Sequence, residues 1–316
     1  MFPEEQNGGF DVPPDAIAEL TRLYEAGHYV QGCTYVAKLP PPREWRGTAA
    51  LIIGGRLANN VGAPFLARRM HVLAWRVNRS SIEAAYYYAY SVLHRRGPYI
   101  AWKFLRDLAE FPESTAEQRA DLLTLQAQVI ALFRDFETAE RLMNQAAASA
   151  DTRPWFWVEK GSLLERQDRY EEALAATRCA LEIQPFFRPA VQAVASQMQL
   201  LGRDDEALAL LAETASRLES MAVVAHLANL QTELGLHREA LESWERMRTL
   251  APWIEPEVLE WWDARMCDAH CLCGNFAEAA ESAARAKGPF YGRLGEQLKR
   301  PPSDSRRVVV PVGFVR

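Results

Sequence analysis

Three cysteines and a histidine crowd the stretch Cys267, His270, Cys271 and Cys273. Thiolates and an imidazole are the ligand chemistry of zinc, and positions 267, 270 and 271 share one face of a helix. A structural zinc site takes its ligands as two separated pairs joined by a loop, and no second pair exists here. Cys33, five residues after His28 across a predicted turn, is the other candidate, as a nucleophile with its base. Catalysis would also need an oxyanion hole and an orienting third group converging on a pocket, and nothing in the sequence supplies them. No phosphate-binding loop, dinucleotide glycine fingerprint or zinc-protease histidine pair occurs. No catalytic residue, metal site or cofactor is therefore expected, and the chain does not read as an enzyme.

The elements that would position such residues follow one recurring pattern. Ala139, Ala173 and Ala207 stand 34 residues apart, and Ala240 follows at 33. Around Ala173 the pattern is fullest: Trp157, Gly161, Tyr170, Ala173, Ala180 and Pro185. Gly161 and Ala173 are small enough for two helices to cross closely, and Pro185 ends the second helix because it has no N–H to donate. Phe136, Ala139 and Ala146 mark a copy before it. Gly202, Ala207 and Leu211, then Gly235, Ala240, Trp244 and Pro252, mark two after. Gly274, Phe276, Ala279 and Ala286 close the series, after an insertion around Trp253-Ile254-Glu255-Pro256. Cys267 falls at the place Gly161 takes in the fullest copy, so it reads as a small hydrophobe at a helix contact. Gly54-Gly55 likewise reads as close packing.

These residues resemble the tetratricopeptide (TPR) repeat, a helix–turn–helix unit of 34 residues. The resemblance covers roughly residues 13–287, divergent over 13–118 and clearer over 119–287. Gly27-His28-Tyr29 with Gly32, Gly54-Gly55 with Gly62 and Ala67, and Gly97-Pro98-Tyr99 before Trp102 mark the divergent copies. The third of these has no alanine at the expected crossing position. The run 86–90 (Tyr-Tyr-Tyr-Ala-Tyr) is expected to be helical. The implied fold is all-α, a right-handed superhelical solenoid of about eight helix pairs; sheet in its body would contradict it.

What the resemblance implies is a protein- or peptide-binding scaffold with a concave groove lined by the first helix of each pair. Helical spacing then nominates Arg56, Asn59, Tyr87, Ser91, His94, Gln128, Ser162, Gln192, Ser196 and Asn229, with Val158 and Asp268. Neutral hydrogen-bonding side chains of this kind suit the backbone of an extended peptide. The lysine–asparagine clamp of the chaperone-binding members is absent: Tyr87 with Ser91, and Val158 with Ser162, stand at the matching positions. Among the aromatics, Trp157 is the core tryptophan of the repeat, Trp155 comes early enough in its helix to reach the groove, and Trp261 is expected to touch a ligand.

The charge is unevenly spread. Of a net −5, residues 43–106 hold eleven basic side chains against Glu44 and Glu83, which leaves −14 for the remainder. The basic half would steer an acidic partner, with Arg56 and His94 facing inward and Arg68, Arg69, Arg76 and Arg79 on an outer face. The split also permits weak end-to-end self-association. The negative total argues against nucleic acid as partner. Five scattered cysteines, no apolar run of membrane length and no visible secretory signal place the chain in the cytoplasm.

After about residue 287 the repeat stops. Residues 288–316 are expected to hold a capping helix, a linker at Pro301-Pro302-Ser303-Asp304-Ser305 and a strand-like tail from Arg306 to Arg316. That tail resembles the lead-in to papain-like peptidase domains of the double-glycine-leader type. The alternative it implies is the substrate-recognition arm of a larger or split cysteine peptidase.

Overall fold

The computed structural model describes residues 9–299, and the tail from Arg306 to Arg316 lies outside them. Seventeen α-helices carry the described chain. Sixteen form antiparallel pairs: α1 (Pro14–Glu25) with α2 (Tyr29–Val36), α3 (Thr48–Asn60) with α4 (Pro64–Val77), α5 (Ile82–Arg96) with α6 (Pro98–Arg106), and α7 (Ala116–Ala131) with α8 (Phe136–Ala150). The series continues with α9 (Pro154–Glu165) and α10 (Tyr170–Ile183), α11 (Arg188–Leu200) and α12 (Asp204–Arg217), α13 (Met221–Glu233) and α14 (His237–Thr249), and α15 (Pro256–Leu272) and α16 (Phe276–Arg285). A last helix, α17 (Pro289–Leu298), buries Leu294 against Cys267, Cys271 and Ala283. The architecture is the all-α solenoid that the repeats predict.

Every pair is built on the same contact. The fourth residue of each second helix is Gly32, Ala67, Ala101, Ala139, Ala173, Ala207, Ala240 or Ala279, and each is buried. Twelve residues upstream of Ala173, a Cβ on Gly161 would lie 3.1 Å from the Ala173 carbonyl oxygen. Gly55 has the same 3.1 Å relation to Ala67. Cys267 occupies this place opposite Ala279 and is fully buried, so its role is packing. The third pair corrects the sequence reading: Ala101, just before Trp102, keeps the small crossing residue.

The turn within seven of the eight pairs places a residue with positive φ five positions before the crossing residue. Glycine takes it at 27, 62, 202, 235 and 274, where lacking a Cβ removes the strain; Arg134 and Asp168 take it elsewhere. Helix starts are fixed by proline in α1, α4, α6, α9, α15 and α17, and by the Thr115–Gln118 capping box in α7. Sheet among the described residues is limited to a two-residue parallel ladder. Phe10 and Asp11 pair there with Trp45 and Arg46, tying the start of the chain to the α2–α3 connection.

The stack does not stay open. After about 190 residues the chain returns to its own beginning and closes a ring. The carboxylate of Glu219, between α12 and α13, accepts the amides of Val30 (2.8 Å) and Gln31 (3.0 Å) at the start of α2. The carboxylate of Glu255, between α14 and α15, accepts those of Phe65 (2.7 Å) and Leu66 (2.9 Å) at the start of α4. Helix starts carry unsatisfied amides and a partial positive charge, so each glutamate is a charged cap supplied from a distant repeat. Backbone bonds run alongside, from Glu219 N–H to the Gly27 carbonyl (3.1 Å) and from Glu255 N–H to the Gly62 carbonyl (2.8 Å). Trp253 joins the core of the first pairs, and Val30 joins the core of the later ones. The insertion at 253–256 is half of this seam.

Candidate binding cavity

Closure turns the expected groove into a cavity of about 1130 Å³. Its wall runs through α1–α5, then through one end each of α7, α9 and α11, and returns where the Arg188 side chain comes beside Tyr29. The lining is aromatic and charged. Tyr24, Tyr29, Tyr86, Tyr87, Tyr90, Trp155 and Phe187 face five arginines (56, 68, 95, 153 and 188) and three carboxylates, Glu25, Glu83 and Asp121.

Arg56 is the centre of the charged wall. Its guanidinium lies over the Tyr24 ring, 4.2 Å from the centroid, and no carboxylate stands within ion-pair distance among the described residues. Burial works against its charge, but the phenols of Tyr87 and Tyr24 and the carboxylate of Glu83 outweigh that penalty, so it stays cationic. Among the described residues Arg188 likewise has no acidic partner: one terminal nitrogen donates to Gln192 (2.8 Å), and its Nε finds no acceptor. The indole N–H of Trp155 is also without one. Arg153 differs, being paired with Asp121 at 2.8 Å.

Behind Arg56, His71 stacks on Tyr87 with centroids 4.8 Å apart, in space that Gly55 leaves by having no side chain. Burial, aided by the Arg56 charge, pushes His71 down to about 4, so the ring is neutral at ordinary pH. Burial raises Glu159, in the neighbourhood of Tyr86 and Tyr90, to about 8 against the opposing pull of Arg166. Burial likewise raises Glu83 and Asp121, opposed by Arg56 and Arg153 at Glu83 and by Arg153 at Asp121. The carboxyls of Glu83, Asp121 and Glu159 are thus held toward neutrality while Arg56 remains charged.

Five of the residues nominated from sequence meet in this cavity: Arg56, Asn59, Tyr87, Ser91 and His94. The others lie outside its wall. Gln128 donates to the Glu159 carbonyl (2.6 Å) and ties α7 to α9. Gln192 braces Arg188 and donates to the Ala222 carbonyl (3.4 Å). Ser162, Ser196 and Asn229 sit half-buried on α9, α11 and α13, and Asp268 pairs with Arg265 at 3.1 Å. Trp261 is 41% exposed with its ring edge-on to Trp244, outside the cavity wall. Arg68 corrects the outer-face reading, since it lines the cavity. Trp155 reaches it as its place in α9 suggested.

Tyr24, Tyr29, His71, Phe187 and Arg188 were missed. They come from the turns of the first pair, from a second helix and from a helix start, which an open-groove register leaves out. The tyrosine run was the available signal: Tyr86, Tyr87 and Tyr90 all reach the cavity, while Tyr88 packs on Trp75 and Phe104. No group of three His, Cys, Asp or Glu side chains suited to a metal ion occurs among the described residues.

No protein-family model matches the sequence, and no curated protein matches it. Several solved structures share the fold. The fold is a tetratricopeptide-like helical solenoid. Human IFIT1, solved as a dimer with PPP-AAAA, aligns over 84% of this chain and 67% of its own, at TM-score 0.55 and 14% identity. PilW, a type IV pilus biogenesis factor, aligns over 69% of this chain and 97% of its own, at TM-score 0.50 and 16% identity. PilF of Pseudomonas aeruginosa aligns over 68% and 95%, at TM-score 0.48 and 17% identity. Identities this low carry the fold and nothing finer. None of the described helices is long and apolar enough to cross a membrane.

Proposed function

We propose that this protein is a non-catalytic binding scaffold whose cavity takes an extended, acidic segment of a partner protein. The observation that carries the reading is Arg56, a guanidinium set over the Tyr24 ring with no ion-pair partner among the described residues. A buried charge without a counterion is costly, and an acidic ligand group would supply the missing partner. Asn59, Asn60, Gln118 and Gln184 add neutral amides that can pair with a peptide backbone.

The test is fluorescence anisotropy with a labelled peptide of repeated Gly-Ser-Glu triplets, its Gly-Ser-Lys counterpart, and triphosphorylated tetra-adenylate of the kind recorded with IFIT1. The glutamate peptide is expected to bind, to lose about tenfold or more in affinity with Arg56→Gln, and to be unaffected by Arg76→Glu on the outer surface. Equal losses from the two variants would reduce the effect to general surface charge. Preference for the oligonucleotide would replace a protein partner with a nucleic acid.

A further inference from the structure

The wall of the cavity is a continuous loop of protein, and that limits what can enter. From Tyr29 the lining passes through Arg56, Tyr87 and Trp155 to Arg188, which lies beside Tyr29 in the same wall. Outside that junction the seam is fastened twice, by Glu219 on the start of α2 and by Glu255 on the start of α4. Apolar contacts back both fastenings. Leu218 packs on Gly27, where an added Cβ would lie 2.6 Å from its side chain, and Ile254 packs on Gly62, where an added Cβ would lie 3.0 Å from its Cα. Opening the seam would strip four helix-start amides of their acceptors and expose Trp253 and Val30, each now set in the core of the other side.

An open groove can be approached from the side, so it can accept the middle of a chain whose two flanks are folded. A fastened ring cannot. Resting on the acidic-segment reading above, we infer that the cavity receives a free end of a partner polypeptide, fed in along the ring axis, and excludes the same residues when both flanks are held. The partner is thus a protein with an unstructured acidic terminus, and the seam residues Glu219 and Glu255 determine that choice without touching the ligand.

The experiment presents one acidic sequence, the Gly-Ser-Glu peptide, in three forms. The first is free, the second is fused to the terminus of a small folded carrier, and the third is inserted in a surface loop of that carrier. Calorimetry against the whole protein is expected to give matching affinities for the free and terminal forms and a loss of about hundredfold or more for the loop form. Protease nicking of the loop should restore binding. The variant Glu219→Lys/Glu255→Lys, with its seam loosened, should accept all three. Binding of the loop form by the wild-type protein within about threefold of the free form overturns the inference while leaving the acidic-segment reading intact. Failure of the free peptide to bind removes that reading and the inference with it.

Discussion

The carboxylate of Glu255 lies 2.7 Å from the amide nitrogen of Phe65, 190 residues earlier in the chain. A solenoid ordinarily keeps its contacts between neighbouring repeats, which makes its stability a sum of local terms. This contact, with its counterpart at Glu219, joins the first two pairs to the seventh and eighth. It converts a row of repeats into a cooperative ring, and the ring is what encloses the cavity.

Removing one fastening should be measurable. Glu255→Ala leaves the Phe65 and Leu66 amides without their acceptor, and the loss of such a cap costs about 1–2 kcal/mol. Urea unfolding should show that loss, and hydrogen exchange should accelerate at those two amides and at the Gly62 carbonyl's partner, Glu255 N–H. Unchanged exchange at Phe65 would mean that the seam is not formed in solution.

The crossing residues give a second prediction. Ala101 is fully buried at the fourth position of α6, as Ala173 is in α10. Ala101→Leu and Ala173→Leu should each overpack their helix pair and cost about 1–3 kcal/mol. Loss at residue 173 alone would show that the third pair is built differently, despite its matching register.

The two halves of the fold differ in how openly the sequence shows them. From 119 onward, glycine, alanine and proline recur at repeat spacing because each is the residue that its backbone position requires. In the first pairs the same positions hold Gly32, Ala67 and Ala101, but the flanking consensus residues have been replaced by aromatics that line a cavity. The helices were legible there and the crossing residue of the third pair was not. The ring was not legible at all. Glu219 and Glu255 look like ordinary loop glutamates, since no local pattern marks a cap donated from 190 residues away. That one unseen closure accounts for what lines the cavity: Arg56, Asn59, Tyr87, Ser91 and His94, nominated by helical spacing, stand in its wall, whereas Tyr29 and Arg188 come together only because the ring shuts.

His71 in the cavity wall and Glu159 near Tyr86 and Tyr90 should give opposite pH slopes to stability. His71 has its folded value lowered to about 4 from an ordinary 6.5, so its contribution is complete above 6.5 and is lost as pH falls toward 4. Glu159 is raised from 4.5 to about 8, so its contribution is complete below 4.5 and is lost as pH rises toward 8. Melting temperature followed from pH 4 to pH 9 should therefore peak at intermediate pH. Glu159→Gln should flatten the alkaline side, and His71→Gln should flatten the acid side. A Glu159→Gln profile that falls as steeply as wild type above neutrality would place the ionisable group elsewhere.

His71 also serves as a reporter for the cavity. After burial, the nearby Arg56 charge is the second cause holding its imidazole down. Arg56→Gln should therefore raise the His71 value toward 6.5, as read from the imidazole proton resonances during an NMR titration. An acidic ligand placed against Arg56 should act in the same direction, because a negative charge there cancels the guanidinium seen by the ring. By linkage, ligand binding then takes up protons, and affinity should increase as pH falls from 6.5 toward 4 wherever the ring remains buried. A His71 titration that Arg56→Gln moves and the acidic peptide does not would show that the peptide binds away from this guanidinium.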